Sequence, residues 1–177
     1  VNVGLPEIDE PAMMVRACEE LQGSTLLPLQ IDSTSPVAIE AAVRRYPGKP
    51  IINSVNGKRE SMDAVLPIAA HYGCDIVAGI PATAEARLQI AERIVKEAAR
   101  YGIGRERILV DCLVMTASTN QHQVLDILRA VELCREHLGV RTSLGVSNVS
   151  FGLPARELLN ATFLAAALGA GLDAAIM

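Results

Sequence analysis

The chain has no tryptophan, and only two phenylalanines and three tyrosines among its 177 residues. Aromatics so few and scattered argue against stacking on nucleic-acid bases and against an aromatic-rich sandwich. Positive charge is not in excess either. Sixteen Lys and Arg against 20 Asp and Glu leave a formal net charge of −4, so no basic surface is on hand to neutralise phosphates, and no nucleic acid is expected as a partner. Long uninterrupted apolar runs are missing too. TFLAAALGAGLDAAIM at 162–177 is broken by glycines and an Asp, and reads as a buried helix and strand, with no membrane span. The opening VNVGLPEIDE is acidic and lacks the basic region of a signal peptide.

Chemical signatures are equally sparse. Cys18, Cys74, Cys112 and Cys134 include no CxxC pair, so reduced, buried thiols in a cytoplasmic protein are expected. His71, His122 and His137 have no ligand spacing, and no bound metal is expected in this domain. No GxSxG and no Cys/His pairing marks a side-chain nucleophile. The one G-x-G, at Gly102 and Gly104, follows a helix and precedes a strand, the reverse of the order a phosphate cradle requires.

What is present is a hydrophobic share of 50%, supplied mainly by Ala, Leu, Ile and Val, arranged as short apolar runs alternating with amphipathic helices. The runs are VNV at 1–3, LLPLQI at 26–31, PIIN at 50–53, DIVAGI at 75–80, ILVDCLV at 108–114, TSLGVSNV at 142–149 and LDAAIM at 172–177. They predict seven strands. Between them, the 3.6-residue period predicts six helices, from PAMMVRACEEL to PARELLNATFLAAAL, several closed by a cap glycine as at Gly73, Gly102 and Gly139. Repeated strand and helix units mean an α/β fold on a parallel sheet, as an open doubly wound sheet or a (β/α)8 TIM barrel.

Polar residues decide between them. Asp32 follows LPLQI, Asn53 follows PII, Asp111 sits within ILVDCLV, Asn148 follows LGV, and Asn2 sits in VNVG. Each alone reads as a turn or cap residue. Polar groups at the C-terminal ends of strand after strand, however, are what a barrel brings to one site, whereas an open sheet concentrates them at one switch point. An unpaired polar group inside an apolar strand costs about 1–3 kcal/mol. Something polar is expected to meet Asp111 and Asn148. Carboxylates and amides without a nucleophile suit the gripping of a flat heterocycle through complementary hydrogen bonds.

VNVG, LQIDST, INSVNGK, TAEARLQIAERIV, VDCLV and above all GVSNVSFGLPARELLNATFLAAALGAGLDAAIM resemble, in order, the pterin-binding barrel of methyltetrahydrofolate-dependent corrinoid methyltransferases. That group includes the folate domain of cobalamin-dependent methionine synthase and the methyltransferase of the corrinoid iron-sulfur protein. The resemblance implies a dihydropteroate-synthase-like barrel that transfers a methyl group from 5-methyltetrahydrofolate to the cobalt(I) of a corrinoid, a cobalamin-type cofactor held by a partner protein or domain. A homodimer is a further expectation. Carried over by position, it implies that Asp32, Asn53 and Asp111 bind the pterin ring and that Asn148 lies near N5 as the catalytic residue. Arg156 in GLPAR matches an arginine near the substrate, with a helix first-turn role as the alternative, and Asn2 is a further candidate for pterin binding. The expected domain is one pterin-binding barrel over 1–177, lacking a first strand and helix, with a missing loop near 79–81. Two rivals remain. Dihydropteroate synthase shares the pocket, but here Asp111 is followed by CLVMTAST, without the glycine-rich loop and lysine of that family, and the late motif is SNVS where that family carries a basic one. A non-catalytic pterin-binding scaffold of a corrinoid complex would use the same residues.

Overall fold

The computed structural model describes residues 1–79 and 83–177; the missing loop expected near 79–81 falls largely outside the described residues. Six strands form one parallel sheet: β1 Gln30–Asp32, β2 Ile51–Asn56, β3 Asp75–Gly79, β4 Ile108–Asp111, β5 Arg141–Gly145 and β6 Ala174–Ile176. The helices are α1 Glu10–Gln22, α2 Pro36–Arg45, α3 Arg59–Tyr72, α4 Ala84–Arg100, α5 His122–Leu133 and α6 Arg156–Gly169. Each strand pairs with the next in chain order, without the reversal that defines a doubly wound sheet. Each helix packs on the next as well. The result is part of a (β/α) barrel, a curled sheet with helices on its outer side.

Local chemistry explains the helices. Asp9 accepts the amide of Ala12 at the start of α1, and Ser35 accepts that of Ala38 at the start of α2; both helices carry a proline in the first turn, where its missing N–H is not needed. Helix α3 ends at Gly73, at φ 72°. Helix α5 runs through one wider turn at Cys134–Leu138 and ends at Gly139, at φ 60°. Both caps are left-handed positions that glycine takes without a Cβ penalty.

The core lies between helices and sheet. Ile31, Ile52, Ile76, Ile108, Val110 and Leu144 point outward from successive strands and are no more than 1% exposed. Each such side chain contributes about 1.5–3 kcal/mol by burial. Among the described residues six strands rather than seven are regular, because residues 1–3 only lie beside β1. The amide of Asp32 donates to the Val1 carbonyl at 2.9 Å and Val1 N donates to the Gln30 carbonyl at 2.6 Å, without a continued ladder. The run TSLGVSNV is likewise not all strand, since β5 stops at Gly145 and residues Val146–Ser150 form a 3-10 turn.

Candidate functional site

Strand register puts the inner face together. Parallel partners share a face of the sheet, so Asp32 stands beside Asn53, Asn53 beside Val77, Gly79 beside Asp111, and Asp111 beside Ser143. The residues between them in sequence are the outward core residues. Asp32, Asn53 and Asp111 therefore share the inner face at the C-terminal ends of β1, β2 and β4. Asp32 and Asn53 also line one cavity of about 310 Å³, with Ser33, Ser54, Asn56 and Glu60. Register shifts by one residue between Asn53 and Val55, which sets Ser54 in a bulge beside Gly79, and the Asn53–Ser54 peptide bond is cis.

Asp111 closes β4 and turns its carboxylate back on the chain. Oδ1 accepts the amide of Leu113 at 2.8 Å, the kind of local carboxylate turn that Asp favours. Burial pushes its proton affinity above that of an ordinary carboxylate, while the Leu113 amide and the Arg87 guanidinium pull it down. One oxygen is committed to Leu113; a carboxylate has further lone pairs with which to receive a ring N–H.

Asn148 is exposed on the 3-10 turn above β5, which corrects its expected place inside an apolar strand. The turn is anchored on both sides. Val149 accepts the amide of Ala117 at 2.9 Å, and the Thr116 hydroxyl donates to the Phe151 carbonyl at 2.6 Å, lacing the loop after Asp111 to the loop carrying Asn148. Arg156 donates from Nη2 to the Ser147 carbonyl and from Nε to the Ser150 hydroxyl, both at 3.1 Å, and stacks over Phe151 with its guanidinium carbon 5.8 Å from the ring centre. Arg156 thus has the helix first-turn place that was its alternative expectation, and its bonds hold the turn that carries Asn148. Asn2 is exposed, accepts the Gly4 amide at 3.1 Å, and does not line the cavity of Asp32 and Asn53.

Two residues escape sequence reasoning. Ser143 is 2% exposed, shares the inner face with Asp111, and its hydroxyl has no hydrogen-bond partner among the described residues. Its two-residue spacing from Gly145 was the available signal, hidden in a run that reads simply as a strand. Ser33 is also buried; its hydroxyl donates to Glu10 and accepts the Ser35 amide at 2.9 Å, shaping the loop that follows Asp32. Among the described residues no group of three or more His, Cys, Asp or Glu is placed to hold a metal.

Carboxylates and amides on one face of a partial parallel barrel define a class, and comparison agrees: residues 4–177 match the family described as pterin binding enzyme, to which the chain belongs. Its particular relatives are of two kinds. It is 34% identical over 167 residues to the methylcorrinoid:tetrahydrofolate methyltransferase of Eubacterium limosum, covering 89% of this chain and 61% of that protein. It is 34% identical over 172 residues to the methionine synthase of Mycobacterium leprae, covering 85% of this chain and 14% of that protein. The chain thus spans less than two thirds of the length of either relative. Among solved structures, dihydropteroate synthase of Xanthomonas albilineans superposes with a TM-score of 0.71 at 23% identity, over 98% of this chain and 68% of that one. The Thermus thermophilus enzyme gives 0.70 at 18% identity, over 96% and 71%. At such identities the likeness is one of fold.

Proposed function

We propose that this domain moves a methyl group between 5-methyltetrahydrofolate and a corrinoid held by a partner protein or domain. The observation that carries the reading is the common inner face of Asp32, Asn53 and Asp111, with Asn148 exposed on the turn that rises from the neighbouring strand. A pterin is flat, with N–H donors and ring acceptors on its edges. Carboxylates accept its donors, in pairs where two run parallel, and an amide serves either sense. Gly79, beside Asp111, adds no side chain to that face, which leaves room for a plane to lie on it.

The corrinoid, when bound on its partner, supplies the cobalt(I) nucleophile. This chain's residues supply alignment and hydrogen bonding. The carbon–nitrogen bond at N5 breaks with its electron pair returning to nitrogen, so N5 needs a proton or a donor as the methyl departs. In this reading Asn148 offers its NH₂ to the developing lone pair and its carbonyl to an N5 proton, following the change without carrying charge. The opposite direction, named in the Eubacterium limosum relative, uses the same amide to accept from N5–H of tetrahydrofolate. Asp32, Asn53 and Asp111 hold the ring, and Arg156 keeps the Asn148 turn in place. No side-chain nucleophile is required, which suits the inventory of this face.

The test is methyl transfer by the full-length protein from 5-methyltetrahydrofolate to cob(I)alamin, followed by the appearance of methylcobalamin absorbance. Turnover that depends on Asn148 supports the reading. Folate binding without transfer in either direction would leave a pterin-binding scaffold, and absence of folate binding would refute the assignment altogether.

A further inference from the structure

Helix α4 buries the stripe Ala84, Arg87, Ala91, Ile94, Val95 and Ala98, and Arg87 is out of character in it. It is 1% exposed, on a face where every other buried member is aliphatic. Taking a guanidinium out of water is costly, and an apolar side chain of similar volume would pack there without that cost. Its placement is explained by what it reaches. Nη2 donates to the carbonyl of Leu113 at 3.3 Å. Leu113 has φ 44°, a left-handed conformation that a leucine adopts only when its surroundings impose it. The same residue's amide is held by Asp111 Oδ1 at 2.8 Å. Leu113 is thus gripped at its carbonyl by Arg87 and at its amide by Asp111.

We propose that Arg87 is a positioning residue: by holding Leu113 in its left-handed conformation it fixes the turn from which Asp111 presents its carboxylate to the inner face. The inference deepens the functional reading above and rests on it for the identity of the ligand. A second, electrostatic contribution runs the same way. The guanidinium opposes the effect of burial on Asp111 and so favours the ionised form that accepts ring N–H groups. Among the described residues, the other groups whose charges act on Arg87 include Cys112 beside Asp111, and Asp126 and Cys134 from α5 and the turn after it. Of these Asp126 is the one ordinary acid. It shares the field of Arg87 with Asp111, so Asp126→Asn serves as the control for a general loss of negative charge.

Three variants in the full-length protein test this: Arg87→Met, which keeps the volume and removes the donor and charge; Arg87→Lys, which keeps the charge; and Arg87→Met with Leu113→Gly, since glycine takes positive φ freely. In the ligand-free protein, carbon-13 NMR of the Asp111 carboxyl is expected to show titration at higher pH in Arg87→Met, with Arg87→Lys between it and wild type. Affinity for 5-methyltetrahydrofolate is expected to fall about tenfold in Arg87→Met, equivalent to about 1.4 kcal/mol. The rate at saturating substrate should hold, and Leu113→Gly should recover most of the lost affinity without restoring the titration. An unchanged Asp111 titration together with no recovery by Leu113→Gly would overturn the proposal, even if Arg87→Met melts at lower temperature. A shifted titration in a protein that binds no folate would instead overturn the functional reading and leave the role of Arg87 standing.

Discussion

Gly145 and Asn148 are packed so closely that a methyl group built on Gly145 would lie 2.9 Å from Nδ2 of Asn148. Gly145 has an ordinary backbone, with φ −77°, so its lack of a side chain serves space rather than conformation. The atom it makes way for is the end of a side chain, and an added methyl group displaces that amide rather than the fold. Gly145→Ala is therefore expected to leave the melting temperature within a few degrees of wild type while slowing methyl transfer by at least tenfold. Paired thermal melts and single-turnover assays check it, and a full-rate alanine variant would mean that the observed amide position does not matter to the chemistry.

Removing the amide itself goes further. Loss of one well-placed donor at a site of developing charge costs about 10²–10³ in rate. Asn148→Ala should fall in that range with folate affinity changed only a few-fold, because the residue is exposed on the turn and the ring is held from the strands. Transfer at the wild-type rate to cob(I)alamin sinks the assignment of Asn148.

Asp111 ties affinity to pH. Its carboxyl titrates above the ordinary carboxylate range, mainly because it is buried, and only the ionised form accepts two ring donors. Folate affinity should therefore drop on acidification at a pH higher than a solvent-exposed Asp would give. Asp111→Ala should lower neutral-pH affinity roughly 10- to 100-fold, from the worth of hydrogen bonds to a charged group, and flatten that profile. Calorimetric titration across the acidic range measures both.

The same residue gives an opposite signature in stability. A carboxyl whose folded-state proton affinity is raised holds its proton in the fold where the unfolded chain has released it, so stability falls as pH rises from the ordinary carboxylate value through the raised one. Asp111→Asn keeps an acceptor for the Leu113 amide and removes the buried charge. It should be more stable than wild type at neutral pH, with the gain vanishing at acid pH where both side chains are neutral. Urea melts at several pH values decide it.

All four thiols are closed off. Cys18, Cys74, Cys112 and Cys134 are 0% exposed, and burial pushes Cys18 upward and Cys74 up to about 11. A thiolate-directed reagent such as Ellman's should find almost no reactive thiol in the native protein and four after unfolding. Rapid reaction of one thiol without loss of structure would show a local opening that the packing does not suggest.

Element type was legible because period is a local property. TAEARLQIAERIVKEAARY predicts a helix over 83–101, and α4 spans Ala84–Arg100. ESMDAVLPIAAHY predicts one over 60–72, and α3 spans Arg59–Tyr72 despite its internal Pro67. The stretch after Gly145 departs from the expected strand for a physical reason. Val146 and Val149 are buried three residues apart while Asn148 is exposed, which is the spacing of a 3-10 turn, and two valines three apart pass for strand in a short apolar run. Residues 1–3 depart from the expected strand for a different reason: a strand exists by its partner's hydrogen bonds, and these residues make too few with β1.

The sequence by itself determined the order of strands and helices, the parallel sheet, and the polar residues Asp32, Asn53 and Asp111 at the strand ends, because apolar period and residue type act over a few neighbours. Only the tertiary structure decided that those three share one face, that Ser143 joins them, that Arg156 is spent on holding a turn, and that a buried Arg87 grips the residue beside Asp111. Those facts depend on strand register and on contacts across tens of residues, and nothing in the local pattern of a chain specifies what its distant parts will meet.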